Sequence, residues 1–287
     1  MVRRTVTLVT GAAIVSSACL VFPGHASAAT WSPGVMAALG DSISAGFNAC
    51  GWYVSCTSRS WSAGDNSTVN SHYLRLRGGS RESGRNLNFA VPGATSADLA
   101  GQARQAVRKG VEYVTILIGA QDACVRDEKN MTPVATYRRN IGAALDVLRE
   151  ASPPVRVFVA SIPDIKRLWS VGKDSTLART FWSVGQLCQS MLWKPTSTAK
   201  ADRARRDRVR ARVVDYNAAL AQECAAYGPA CRFDRNAVFS YPFTLDHVSK
   251  WDFFHPNAEG QRIIAERTAF VLRGWDLPAP VPEEAQR

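Results

Sequence analysis

The sequence predicts an α/β fold built on a five-stranded parallel sheet covered by helices on both faces. Three observations carry this. Short apolar runs of strand character alternate with longer stretches of helical periodicity. Alternation of that kind is the pattern of parallel sheets buried on both sides. The residues with the most chemical potential, Ser42, Gly93 and Gln121, fall just after strand runs, where ligands sit in such folds.

Taken in order, the chain opens with a secretory leader. Arg3 and Arg4 precede an uncharged, mostly apolar run over 5–22, and Ala26-Ser27-Ala28 supplies a small-residue cleavage pattern. The reading is a signal peptide over 1–28, removed after Ala28, and hence a secreted protein. A membrane anchor is the competing reading. The run is broken by Gly, Ser and Thr, and no later segment approaches the ~20 apolar residues of a spanning helix. Cys19 raises a lipoprotein reading, but Ser16 stands where a lipid-attachment box wants Leu. Removing those 28 from 287 residues leaves 259, and 29–287 reads as one domain with a single sizeable core.

The first strand run, 35–39, ends at Gly40-Asp41-Ser42. A long loop over 46–87 leads to the second, 87–91, which ends at Pro92-Gly93. A helix over 96–109 carries Leu99, Ala103, Ala106 and Val107 on one stripe. The third strand, 113–118, ends at Gly119. A helix over 133–149 carries Tyr137, Ile141, Ala144, Leu145 and Leu148. The fourth strand, 155–161, ends at Pro163-Asp164. A second long loop, 165–200, holds Leu168, Trp169, Phe181, Trp182, Leu187, Met191, Leu192 and Trp193. Those side chains would either line an acyl or aryl pocket or pack beneath the loop. A long Arg- and Ala-rich helix follows over 202–227, then a weak strand at 232–234. A last helix over 257–272 has Asn257 as its N-cap. The proline-rich tail 278–287 reads as a frayed end.

Beyond Cys19, six cysteines remain: Cys50, Cys56, Cys124, Cys188, Cys224 and Cys231. An even number in an exported chain argues for disulfides, although six cysteines permit 15 connectivities. The short intervals suggest Cys50–Cys56 and Cys224–Cys231, which would leave Cys124–Cys188 as the long link. The sequence has no CxxC pair or His–Cys cluster to recommend a metal site. Of 35 basic residues, two leave with the leader, so 33 face 24 acidic ones, a net charge of +9. Arg203, Arg205, Arg206, Arg208, Arg210 and Arg212 concentrate much of it. A nucleic-acid or anionic-lipid site is the sharp reading of that stretch. No aromatics interleave the arginines as a stacking groove needs, so the expected reading is a solvated helix face and no nucleic-acid partner.

Two segments carry chemistry. Ser42 stands at the end of an apolar strand, next to an expected helix N-terminus whose free N–H groups would stabilise an oxyanion. A serine nucleophile needs a base for its proton. Trp251-Asp252-Phe253-Phe254-His255-Pro256-Asn257 supplies one near the other end of the chain. There His255 is the base, and Asp252 would fix its tautomer and stabilise the imidazolium. Alone, a GDS or a DxxH is a weak signal. His247, eight residues before His255 and beside Asp246, is an alternative base. His72 reads as part of a structural turn or a residue packed near the nucleophile. Asp122 is read as making hydrogen bonds near the third strand end.

With both segments in view, the sequence resembles the GDSL/SGNH hydrolases, and among them secreted actinobacterial esterases and lipases with three disulfides. Four blocks carry the likeness, at 39–46, 88–95, 118–124 and 252–257. The resemblance implies a three-layer flavodoxin-like fold and hydrolysis of esters without metal or organic cofactor. By motif it assigns Ser42 as nucleophile, His255 and Asp252 as its partners, and the N–H groups of Ser42 and Gly93 to the oxyanion hole. The cysteine spacing also resembles that subgroup and supports the local pairing above. One position departs: the third block ordinarily reads Gly-x-Asn-Asp, and Gln121 replaces the asparagine whose amide is the third oxyanion donor. The expected function is therefore a secreted, monomeric serine esterase or lipase acting on small-molecule or lipid esters. Its basic charge would suit transient contact with an anionic lipid surface. The alternative is a weakened or non-catalytic secreted binding protein on the same fold, for which Gln121 is the only support.

Overall fold

The computed structural model describes residues 1–2 and 31–272. The expected leader beyond its first two residues, Cys19 and the 278–287 tail lie outside the described residues. Everything below concerns the compact unit that begins at Trp31. Its strands are β1 (Met36–Gly40), β2 (Asn86–Asn88), β3 (Tyr113–Leu117), β4 (Arg156–Val159) and β5 (Cys231–Phe233). All pair in parallel in the order β2-β1-β3-β4-β5. This is the flavodoxin-like order, whose ligands bind at the switch point between the first and third strands.

The helices in chain order are α1 (His72–Leu76), α2 (Leu99–Arg108), α3 (Ala120–Ala123), α4 (Val134–Arg149), α5 (Ile165–Gly172), α6 (Thr176–Val184), α7 (Gln189–Leu192), α8 (Lys200–Tyr227) and α9 (Ala258–Ala269). The period of two in the strands sorts them into layers. Ala37, Leu39, Val114, Ile116, Val157 and Val159 point to one face and pack with α2, α4 and α8. Met36, Ala38, Tyr113, Leu117 and Phe158 point to the other, against α1 and α9. The result is the expected three-layer sandwich. Every residue of β1 and β3 is buried, which is why those strands read as unbroken apolar runs. Truncating Ile116 or Leu117 to Ala should cost about 2–5 kcal/mol through lost burial and the cavity left behind.

Some elements differ from the sequence reading. β2 is shorter than 87–91 because it lies at the sheet edge, half-exposed. Its backbone still follows β1 beyond the strand, as Phe89 N–H donates to Ala38 O at 2.9 Å and Val91 N–H to Gly40 O at 3.1 Å. The segment after Ser42 is a run of turns rather than a helix. Its left-handed Gly46 lies against the Cys56 carbonyl, where a Cβ would approach within 2.4 Å. The stretch 165–200 is not a long loop: it contains α5, α6 and α7. Asp164 caps α5, accepting from Lys166 N–H at 3.0 Å, and Ser175 caps α6, accepting from Ala178 N–H at 3.3 Å.

Three disulfides, Cys50–Cys56, Cys124–Cys188 and Cys224–Cys231, close the chain on itself. The second latches the α5–α7 insertion to α3, reinforced by Ser190, whose N–H and Oγ donate to Val125 O and Ala123 O at 2.8 and 2.7 Å. Among the described residues no helix is long and apolar enough to cross a membrane.

The Arg-rich stretch lies on α8, where five of its six arginines hold neighbouring chain. Arg208 grips Glu128 through two nitrogens, and Arg210 donates to Asp164 at 2.8 Å. Arg205 reaches the carbonyls of Gln189, Ser190 and Trp193. Arg212 reaches Thr132 O at 2.9 Å, and Arg206 stacks on Trp169 while donating to Ser197 O.

Candidate active site

β1 delivers Ser42 to the carboxyl edge of the sheet. Gly40 makes the exit possible: its φ is +135°, and a Cβ there would stand 2.0 Å from Leu117 O. Gln102 of α2 clasps this glycine with both ends of its amide, accepting from Gly40 N–H at 2.7 Å and donating to Gly40 O at 2.9 Å. Asp41 turns inward and accepts from Ile43 N–H at 2.9 Å. Burial pushes its carboxyl up to about 7 against the counter-effects of that hydrogen bond and of His255. Ser42 is left half-buried at the surface of the turn.

The segment before α9 brings the partners. His255 Nε2 lies 2.9 Å from Ser42 Oγ, and His255 Nδ1 lies 2.6 Å from Asp252 Oδ2. The spacing of three has a local cause. Asp252 Oδ1 accepts the N–H groups of Phe254 and His255 at 2.8 and 3.0 Å, folding the chain into a turn that turns the imidazole back onto the same carboxylate. Phe253 takes the left-handed conformation within that turn, at φ +54°, and its carbonyl accepts from Trp182 Nε1 on α6 at 2.9 Å. Asn257 then caps α9, accepting from Gly260 N–H at 2.9 Å.

Burial would raise the Asp252 carboxyl, but the hydrogen bond and charge of His255 and the two backbone N–H groups outweigh it and hold it below the usual carboxylate range. An ionised carboxylate only accepts. His255 Nδ1 therefore carries the ring proton, and Nε2 is free to accept the Ser42 hydroxyl proton. The sequence reading missed one member of this chain. Asn48, buried and at φ +60°, donates from Nδ2 to Asp252 Oδ2 at 2.5 Å. No local pattern announces it, since the contact spans 204 positions.

The predicted oxyanion residues are Ser42 itself, Gly93 and Gln121. Among the described residues, the backbone N–H groups of Ser42 and Gly93 donate to no protein acceptor. Gly93 has φ +85° with open space where a Cβ would be, so backbone conformation rather than crowding calls for glycine. Asp122 fixes this loop from α3, accepting from Ser96 N–H at 2.8 Å and Ser96 Oγ at 2.7 Å. Gln121 is exposed, and its amide makes a long 3.5 Å hydrogen bond to Cys124 O.

Ser42 and His255 open onto an apolar pocket walled by Ile43, Ile165, Leu168, Val171, Phe243 and Phe254. The tryptophans of 165–200 are not its lining. Trp169 packs under Arg206 and Trp182 is buried beneath Phe253, while α5 contributes the aliphatic wall. His247 also lines the pocket, but its Nδ1 accepts Thr244 N–H at 3.0 Å and it makes no hydrogen bond to Ser42. His72 is buried between Tyr113 and Thr268 and shares no hydrogen bond with Ser42, His255 or Asp252. Among the described residues no group of three or more His, Cys, Asp or Glu side chains is disposed to hold a metal.

Comparison with known proteins agrees with this architecture. A catalytic mutant of an acetylxylan esterase from Geobacillus stearothermophilus superposes with a TM-score of 0.52 at 16% identity, covering 86% of this chain and 98% of its own. Another mutant, of an acetyl-xylooligosaccharide esterase from the same genus, gives 0.51 at 15% identity over 86% and 98%. A candidate GDSL-like lipase from Parabacteroides merdae gives 0.50 at 15% identity over 84% and 96%. These likenesses are of fold. No curated protein matches the sequence at a significant level. The profile of the GDSL-like lipase/acylhydrolase family matches residues 38–263, spanning the turn at Ser42, the glycine loop, the β3 exit and His255, and the chain belongs to that family.

Proposed function

We propose that the protein is a secreted serine esterase that hydrolyses carboxylic esters through an acyl-enzyme. The observation that carries the reading is the unbroken relay Asn48–Asp252–His255–Ser42, with hydrogen bonds of 2.5, 2.6 and 2.9 Å. Ser42 Oγ attacks the ester carbonyl as His255 Nε2 takes its proton. The oxyanion is held by the N–H groups of Ser42 and Gly93, with the Gln121 amide swinging away from Cys124 O to join them. The imidazolium, stabilised by Asp252, protonates the departing alcohol. Water then repeats the sequence on the acyl-enzyme and releases the acid.

The aliphatic pocket supports esters with an apolar acyl chain longer than acetyl, and so a role in lipid breakdown. Secretion rests on the leader over 1–28 and is supported by the three disulfides. Gln121 alone favours the second reading, a binding protein that no longer turns over. Hydrolysis of p-nitrophenyl esters from acetate to palmitate, by wild type and Ser42→Ala, decides between them. The esterase reading expects turnover that Ser42→Ala lowers by about 10³-fold or more, with a chain-length optimum beyond acetate. Equal rates for the two proteins would overturn it.

A further inference from the structure

The small disulfide ring Cys50–Cys56 displays a cluster of aromatic side chains that the reaction does not use. Trp52 is 72% exposed, Tyr53 53%, Val54 49% and the neighbouring Trp251 38%. The rings of Trp52 and Trp251 lie 4.5 Å apart, and Tyr53 stands edge-on to Trp251 at 6.4 Å. Both Trp52 and Tyr53 have left-handed backbones, with φ of +66° and +52°, a conformation bulky L-residues avoid. The ring is also held from inside: Asn48 N–H donates to Val54 O at 3.0 Å and Arg59 Nη1 to Ala49 O at 2.9 Å. The chain thus fixes large amphipathic side chains outward, against solvent, in a backbone they do not prefer.

The geometry points to a docking surface for an anionic lipid–water interface, centred on Trp52, Tyr53, Val54 and Trp251. Three features choose this partner. Trp and Tyr combine an apolar body with a polar edge, which suits the boundary between headgroups and acyl chains. The charge is complementary: 43–64 contains no acidic residue, Lys250 beside Trp251 is exposed, and the chain is strongly basic. The position is productive as well, because Tyr53 N–H donates to Asn48 Oδ1 at 2.8 Å and Asn48 in turn holds Asp252. The ring therefore stands two hydrogen bonds from the carboxylate that serves His255.

The test is co-sedimentation of the mature protein with phosphatidylcholine vesicles, with and without phosphatidylglycerol, beside Trp52→Ser and Val54→Ser. Binding is read in a Ser42→Ala background, so the result stands whether or not the protein is an esterase. The expected result is sedimentation with the phosphatidylglycerol vesicles, weakened about tenfold by Trp52→Ser and less by Val54→Ser. In the Ser42-containing protein, Trp52→Ser should leave hydrolysis of a soluble short-chain ester unchanged, which also shows that the variant folds. Absence of wild-type sedimentation, or equal sedimentation of Trp52→Ser, would overturn the proposal. So would retention on insoluble xylan that Trp52→Ser abolishes without vesicle binding, since the aromatic face would then be a sugar platform.

Discussion

Two histidines of this protein are each held by both ring nitrogens, but only one of them has a charged partner. His72, buried in the α1–α9 layer, lies between Tyr113 Oη at 2.9 Å and Thr268 Oγ1 at 2.7 Å. The Thr268 hydroxyl hydrogen is already donated to Ile264 O at 2.7 Å, so it accepts from His72 Nε2–H, and Nδ1 accepts from the tyrosine. Both partners are neutral. Burial, with a smaller contribution from Arg75, then pushes the His72 imidazole down to about 3. His255 has a carboxylate in place of the tyrosine and faces a pocket instead of a core. What separates the two histidines is thus not the number of hydrogen bonds but one charged partner and an opening onto a pocket.

The comparison can be broken most severely at Asp252. Asp252→Asn gives His255 a neutral partner like those of His72 and should lower kcat by roughly 10⁴-fold, by analogy with serine proteases. Steady-state kinetics on a soluble ester checks it, and a loss below tenfold would mean that Asp252 is not His255's charge partner. Gln121→Ala tests the oxyanion side and should lower kcat about 30-fold. That is less than the 10²–10³ of a preorganised donor, because the Gln121 amide must first leave Cys124 O. Single-turnover acylation rates measure it, and an unchanged rate would remove Gln121 from the hole. Asn48→Gly keeps the left-handed backbone and removes one hydrogen bond to a charged Asp252, with an expected fall in kcat of about tenfold at unchanged KM.

The smallest effect on turnover is expected from His72→Gln, which should leave kcat alone and change acid stability. Between about 6.5 and about 3 the unfolded chain binds a proton at His72 that the folded chain does not, so wild type loses stability as pH falls through that window. The stability difference between wild type and His72→Gln should therefore shift against wild type by up to about 1.4 kcal/mol per pH unit. Urea unfolding at pH 7, 6 and 5 reads the slope, and a pH-independent difference would contradict the neutral assignment of His72.

Much of this was legible in the sequence, for reasons that particular residues make plain. β1, β3 and β4 are buried on both faces, so their apolar runs could be read directly. Asn257 announced α9, and the DxxH turn encodes its geometry locally through the two N–H groups that Asp252 accepts. The insertion 165–200 read as loop because its helices are short and its apolar residues serve several neighbours at once. The caps Asp164 and Ser175 were the available signal. Asn48 and Phe243 join the site only through the tertiary fold, and nothing in their own segments marks them.

Helix α8 carries a consequence for mutational tolerance. Its arginines act on backbone carbonyls and stacked rings, and a guanidinium fixed in a planar, many-donor geometry has no substitute in lysine. Charge-preserving drift at Arg205, Arg206 and Arg212 would therefore release the α7 segment and the α3–α4 connection that they hold. In a saturation library this helix should look inverted relative to an ordinary amphipathic one, with its cationic positions as intolerant as its apolar stripe.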